Sequence, residues 1–173
     1  EGSGEPAKKR KLTSVRDSVK TLGLCKKINK TLTQKQKVVV LIKILELVGS
    51  DKNFTPQRME IIDTISTVFN IVKDEYKLIE SFVIKDKVEE LDFSDLLLVN
   101  ADEKSKLENA KHYSSDINGN VIFLKVNSVD MYFTKYIGDD DVVLNAFIML
   151  PNRVYLFSHG STIKTPLGAA LYY

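Results

Sequence analysis

At about Leu91 the spacing of apolar residues changes, and with it the kind of structure the chain can make. Upstream, apolar side chains return every three or four residues, the interval that builds one face of a helix. Downstream, β-branched and aromatic runs are broken by Gly, Asn and Pro, the punctuation of short strands. A chain of 173 residues with this break reads as one domain or two small ones. The division expected is a basic linker at 1–12, a helical domain at 13–90 and a β-rich domain at 91–173.

Four helices are legible in the first half. Ser14 with Asp17 three residues on resembles a capping box. Val15, Val19, Leu22, Cys25, Ile28 and Leu32 then form one apolar stripe, weakened at Gly23. Thr33 and Gln36 repeat the capping logic for a second helix, with Val38, Leu41, Ile42 and Leu45 inward and Val39, Val40, Ile44 and Leu47 broadening that face. A helix this apolar belongs at the centre of its bundle. Gly49 is placed to end it in a left-handed conformation. Thr55-Pro56 starts a third helix, because proline at the first helical position loses no needed N–H. A fourth runs from about Lys73 to Val83, with Tyr76, Ile79, Phe82 and Val83 inward.

In the second half, Phe93–Val99 reads as a strand or a short buried segment, and Ala101–Tyr113 as a polar loop or short helix. Asp116–Asn120, with its Asn-Gly pair, marks a tight turn. Strands are expected at Val121–Val126, Val129–Tyr136, Val142–Leu144, Phe147–Leu150, Arg153–Phe157 and Thr162–Lys164. The chain opens on a Gly/Ser-rich segment without methionine and closes on Leu171, Tyr172 and Tyr173, which read as an interrupted strand. The expectation is a fragment cut at both sides.

Charge is unevenly spread. Lys and Arg outnumber Asp and Glu by 18 to 13 over residues 1–90, and fall short by 7 to 10 over 91–173. Within 1–37 the count is 11 to 3, so the chain begins with a basic arm. Such an arm serves either as a solvated surface or as a contact for nucleic acid, anionic lipid or an acidic partner. Aromatic residues that would stack single-stranded bases are absent from residues 1–53. One cysteine, Cys25, leaves no internal disulfide framework. No apolar run approaches a membrane span, and no signal-peptide pattern opens the sequence.

Chemical motifs are scarce. There is no phosphate-cradling GxxxxGK[ST] and no GxSxG elbow. The only metal-like spacing is Asp51, Asn53 and Thr55, which alternate as oxygen ligands do in a calcium loop. The pattern fails at Pro56 and Ile62, where such a loop needs Gly and Glu. Asp51 and Asn53 are therefore the metal candidates, and no metal is expected. His159 beside Ser161 suggests a base and nucleophile without a third, orienting group. Asp139, Asp140 and Asp141 read as a solvated hairpin tip, and Cys25 as a buried small hydrophobe.

The stretch Gln34–Val83, chiefly LIKILELVGSDKNFTPQRMEIIDTISTVFNI, resembles the TerB-like helical domains named for tellurite-resistance proteins. It departs from their turn at Asp51-Lys52, where Asp-Gly is usual, and at Gln57 and Arg58, where acidic residues are usual. Together with the tail from Val126 to Tyr173, it looks like the N-terminal cytoplasmic part of Bacteroidetes ABC-type transporter ATP-binding proteins. The resemblance implies an α+β chain: a four-helix TerB-like bundle followed by a small, mainly antiparallel β unit. It further implies a non-catalytic regulatory or docking module on the cytoplasmic side of a transporter. Its partners would be the ATPase and membrane regions of the parent chain or another protein. No cofactor and no small-molecule substrate are expected. The alternative is a nucleic-acid or anionic-surface binder using Lys8, Lys9, Arg10, Lys11, Arg16 and Lys20, joined by Lys26, Lys27 and Lys30.

Overall fold

Capping chemistry places the second and third helices where the sequence expects them. The computed structural model describes residues 5–173, with side chains from Arg16 onward. Helix α1 is Glu5–Thr31, α2 Gln34–Ser50, α3 Pro56–Val68 and α4 Lys73–Ile84. At the start of α2, Thr33 Oγ1 accepts the Gln36 N–H while Gln36 Oε1 accepts the Thr33 N–H at 2.9 Å, a complete capping box. Thr55 caps α3 by accepting the Arg58 N–H, and Pro56 follows at the first position.

Four helical expectations change. Helix α1 begins upstream of Ser14, whose side chain lies outside the described residues. Val19 is exposed, and the inward row is Leu22, Cys25, Ile28 and Leu32. Gly49 stays helical; the left-handed residue that turns the chain is Lys52, at φ 51°. Leu47, expected to widen the inner face of α2, is exposed.

The β half is larger than the small unit expected. It has nine strands in two sheets. The first five strands in sequence are β1 (Leu96–Asn100), β2 (Lys111–Ser114), β3 (Asn120–Val126), β4 (Met131–Ile137) and β5 (Val143–Leu144). They are followed by β6 (Phe147–Ile148), β7 (Tyr155–Phe157), β8 (Thr162–Lys164) and β9 (Ala170–Tyr172). One sheet has five strands in the order β2-β1-β3-β4-β7, and the other has four in the order β6-β5-β8-β9. Pairing is antiparallel except between β1 and β2. The shortfall in the expectation has a physical cause. Strand β2 is a polar edge strand with no apolar alternation, so it does not carry the usual signal, whereas the interrupted strand expected at Leu171, Tyr172 and Tyr173 is found as β9. Strand β4 starts later than expected because Asn127–Val129 forms a single 3₁₀ turn, closed by Asp130 in the left-handed region at φ 48°.

Period-two alternation gives the five-stranded sheet two apolar faces. Leu96, Leu98, Ile122, Leu124, Val126 and Phe133 point at the helices and join Leu41, Ile42, Leu45, Ile79 and Phe82 in one buried cluster. Leu91, at the sequence break, is fully buried in that same cluster. Val99, Val121, Phe123 and Tyr136 point the other way, onto Val142, Leu144, Met149 and Ile163 of the smaller sheet and its loops. The molecule is thus layered: helices, five-stranded sheet, four-stranded sheet.

Polar side chains lock the layers. Glu46 on α2 accepts the Val154 N–H at 2.7 Å, and Lys43 donates to the Val154 carbonyl at 3.3 Å, so a helix side-chain pair serves the backbone just before β7. Glu75 on α4 accepts the Ser128 N–H at 2.9 Å and its hydroxyl at 2.5 Å. Asp92 accepts the N–H groups of Glu108, Asn109 and Ala110, which fixes the loop before β2; these bonds, that of Ala110 foremost, hold its carboxyl below the usual range.

Candidate functional site

The residues singled out by sequence do not converge. Asp51 Oδ1 accepts the Asn53 N–H at 3.0 Å and Oδ2 accepts Arg58 at 2.8 Å, so the carboxylate is tied into the α2–α3 turn. The hydrogen bond from Arg58 is the main reason its pKa is lowered. The Thr55 hydroxyl is spent on capping α3. Among the described residues no cluster of three or more His, Cys, Asp or Glu is arranged to hold a metal.

His159 and Ser161 share no hydrogen bond. The Ser161 hydroxyl is buried, accepting the Ser158 N–H at 3.0 Å and facing the Asn145 amide at 3.4 Å. His159 is exposed and lies beside the Tyr173 ring, 6.1 Å between centroids. His112 Nε2 is 2.9 Å from Asn100 Oδ1, and the Asn100 amide in turn donates to Asn120. Of the basic candidates, Lys8, Lys9, Arg10 and Lys11 have side chains outside the described residues. Arg16, Lys20, Lys26, Lys27 and Lys30 are exposed on α1, all but Lys26 on the side away from the buried Cys25.

A built concavity lies elsewhere, in the β half. A groove of about 890 Å³ opens between the outer face of the five-stranded sheet and strand β9. Its floor is made by alternate residues of three strands: Leu97 and Val99 of β1, Lys111 and Tyr113 of β2, Phe123 and Lys125 of β3. The register explains this, because Leu97 pairs with Lys111 and Val99 with Tyr113, which places all four on one face. Leu171 and Tyr173 form the wall, and Tyr173 packs edge-on against Tyr132 with ring centroids 5.6 Å apart. Phe157 closes the inner end, 4.8 Å from Phe123 and 5.7 Å from Tyr173.

The groove carries positive charge. Lys125 lies over the Tyr132 ring at 5.6 Å and reaches Asp130 at 3.6 Å; its pKa is raised, chiefly by Tyr132. Lys111 is exposed and makes no ion pair among the described residues. Asp95, at the rim, accepts the Asn127 amide at 2.6 Å. Sequence reasoning missed this site. Its signal was the pair Lys111 and Tyr113, two apart in a polar run, as on one face of an edge strand.

A buried lysine was missed as well. Lys135 of β4 is fully buried on the helix-facing side, where its ammonium donates to the Lys85 carbonyl at the end of α4 and sits 5.4 Å from the Phe82 ring. Burial lowers its pKa to about 8, against the attraction of Asp86. A cation at a helix C-terminus is favourably placed on the macrodipole.

No family model matches the chain, and neither a curated protein nor a solved structure matches it. Among the described residues no helix is long and apolar enough to cross a membrane.

Proposed function

We propose that this chain is a non-catalytic docking module that acts through protein–protein contact. The observation that carries the reading is the groove, an aromatic and apolar concavity with lysines on its floor, built on rigid strands. Concave apolar sites with a few placed polar groups are the usual form of a binding surface. The side chains that suggested chemistry are instead engaged in turns and caps: Asp51 with Arg58, Thr55 with α3, Ser161 with Ser158. On the resemblance quoted above, the setting proposed is the cytoplasmic region of an ABC-type transporter ATP-binding protein. The purified chain is expected neither to hydrolyse nor to bind ATP. Calorimetric binding at micromolar ATP overturns the reading. A Walker motif downstream in the parent reading frame supports the transporter setting, and a stop codon there removes it.

A second reading is favoured by a specific observation on α1. Arg16, Lys20, Lys27 and Lys30 are exposed and lie within one outward stripe, from the helical advance of about 100° per residue. That stripe suits a run of phosphates. Binding through it would fall steeply as salt rises. A gel-shift assay with duplex DNA at low salt tests it: a shift abolished by reversing Lys20 and Lys27 to Glu supports it, and no shift ends it.

A further inference from the structure

We infer that the groove takes an extended peptide strand bearing carboxylates, which adds to the free edge of β9. The inference rests on the docking reading and names the partner class for it. Three observations lead there.

The first is the hydrogen-bonding edge. Ala169 O accepts from Thr165 and Tyr173 N donates to Ser161, both toward the β8 side. Strand β9 pairs antiparallel with β8 through Thr162–Tyr172, Ile163–Leu171 and Lys164–Ala170. In an antiparallel ladder backbone groups alternate between the two sides of a strand. Ala170 and Tyr172 therefore turn their N–H and C=O groups away from β8. The four-stranded sheet ends at β9, and among the described residues no strand lies beyond it. Only an extended backbone satisfies that row of donors and acceptors in register, which is how strand addition gives affinity.

The second is the floor beneath. A strand beside β9 would sit about 4.8 Å from it, and about 10 Å above the five-stranded sheet. That is the layer over Leu97 and Tyr113, which the four-stranded sheet leaves uncovered, with buried Phe123 at the inner end. Alternate side chains of the incoming strand would point down onto these apolar residues. The remaining side chains would face solvent, as Tyr172 does.

The third is charge. Lys111 and Lys125 lie on the floor two strands apart, and Lys111 is unpaired among the described residues. Only Asp95 opposes them within the lining. A carboxylate on the downward row of the strand meets them, and a cation there is repelled. The free edge argues against a lipid or a nucleic acid as occupant, since neither offers a peptide ladder.

The test uses the full chain and two capped nonapeptides. One reads Glu-Thr-Leu-Thr-Tyr-Thr-Leu-Thr-Glu; the other has lysine at both ends. Fluorescence anisotropy is expected to show the acidic probe binding at least about tenfold more tightly than the lysine probe. Lys111→Glu should reverse that order. Tyr172→Pro removes an outward N–H without removing a bond to β8, and should abolish binding of both probes while the circular dichroism is unchanged. Equal affinity for the two probes overturns the inference, as does binding indifferent to Lys111→Glu. No binding up to about 1 mM overturns it too. A dimer in sedimentation that Tyr172→Pro dissolves also overturns it, assigning the edge to a second copy. Failure of the probes without ATP binding removes this occupant alone, whereas ATP binding removes the docking reading itself.

Discussion

The two faces of the five-stranded sheet are made by the same strands, yet one is sealed and the other is open over β2 and the start of β1. On the helix side, Leu96, Leu98, Ile122 and Leu124 are all but inaccessible, and even a lysine, Lys135, is enclosed with its own acceptor. On the far side, Leu97 and Lys125, one residue along the same strands, are only half-buried, and Tyr113 is exposed. The difference lies in the cover. The helical layer, through α2 and α4, closes the inner face, whereas the smaller sheet stops at β9 and leaves β2 and the Leu97 position of β1 uncovered. Strand alternation supplies two apolar faces whatever the covering, so a cover that runs out early leaves a groove.

Substitutions on the two faces should therefore differ in cost. The largest effect expected is from Phe82→Ala, which opens a cavity beneath Lys135 and removes its ring partner; denaturant unfolding should show a loss of about 3–5 kcal/mol. A loss under about 1 kcal/mol would mean that the inner face is not sealed.

Lys135 offers a test by pH. Its folded pKa, about 8, lies below the 10.5 of a free lysine, so between those values the unfolded chain holds more protons than the folded one. Stability contributed by this residue rises with pH across that window, by about 3 kcal/mol in all. In Lys135→Met that rise should disappear. Unfolding curves of the two proteins at pH 7.5 and 10 give the difference directly, and parallel pH profiles would refute enclosure of the charge.

Glu46→Ala ranks next. It leaves the N–H of buried Val154 without its carboxylate, for a loss of about 1.5–3 kcal/mol on unfolding. On the open face, Tyr113→Ala should change stability by no more than about 0.5 kcal/mol, since its side chain covers little in the free protein. A cost near that of Phe82→Ala would erase the contrast between the faces.

The sequence made the sealed side readable and hid the open one. Thr33 with Gln36 and Thr55-Pro56 announce helix starts through local chemistry alone, and the 3.6-residue rhythm of Val38, Leu41, Ile42 and Leu45 names the packed face. Strands β3 and β4 showed through their β-branched and aromatic runs. Strand β2 stayed hidden because an edge strand with one exposed face needs no apolar alternation, and Lys-His-Tyr-Ser has none. The candidate site drew on that hidden strand and on register between segments far apart in sequence, so its residues could not be assembled from spacing. The reverse holds for Asp51, Asn53 and Ser161, whose types suggested chemistry while their partners are structural.

The most direct measurement of the open face is residue-resolved hydrogen exchange of the free chain. Ala170 and Tyr172 should exchange at nearly unprotected rates, while Leu171 between them and Tyr173 after them are slowed by their bonds to β8. Protection of Ala170 and Tyr172 equal to that of Leu171 would show the edge already covered, and would contradict the account.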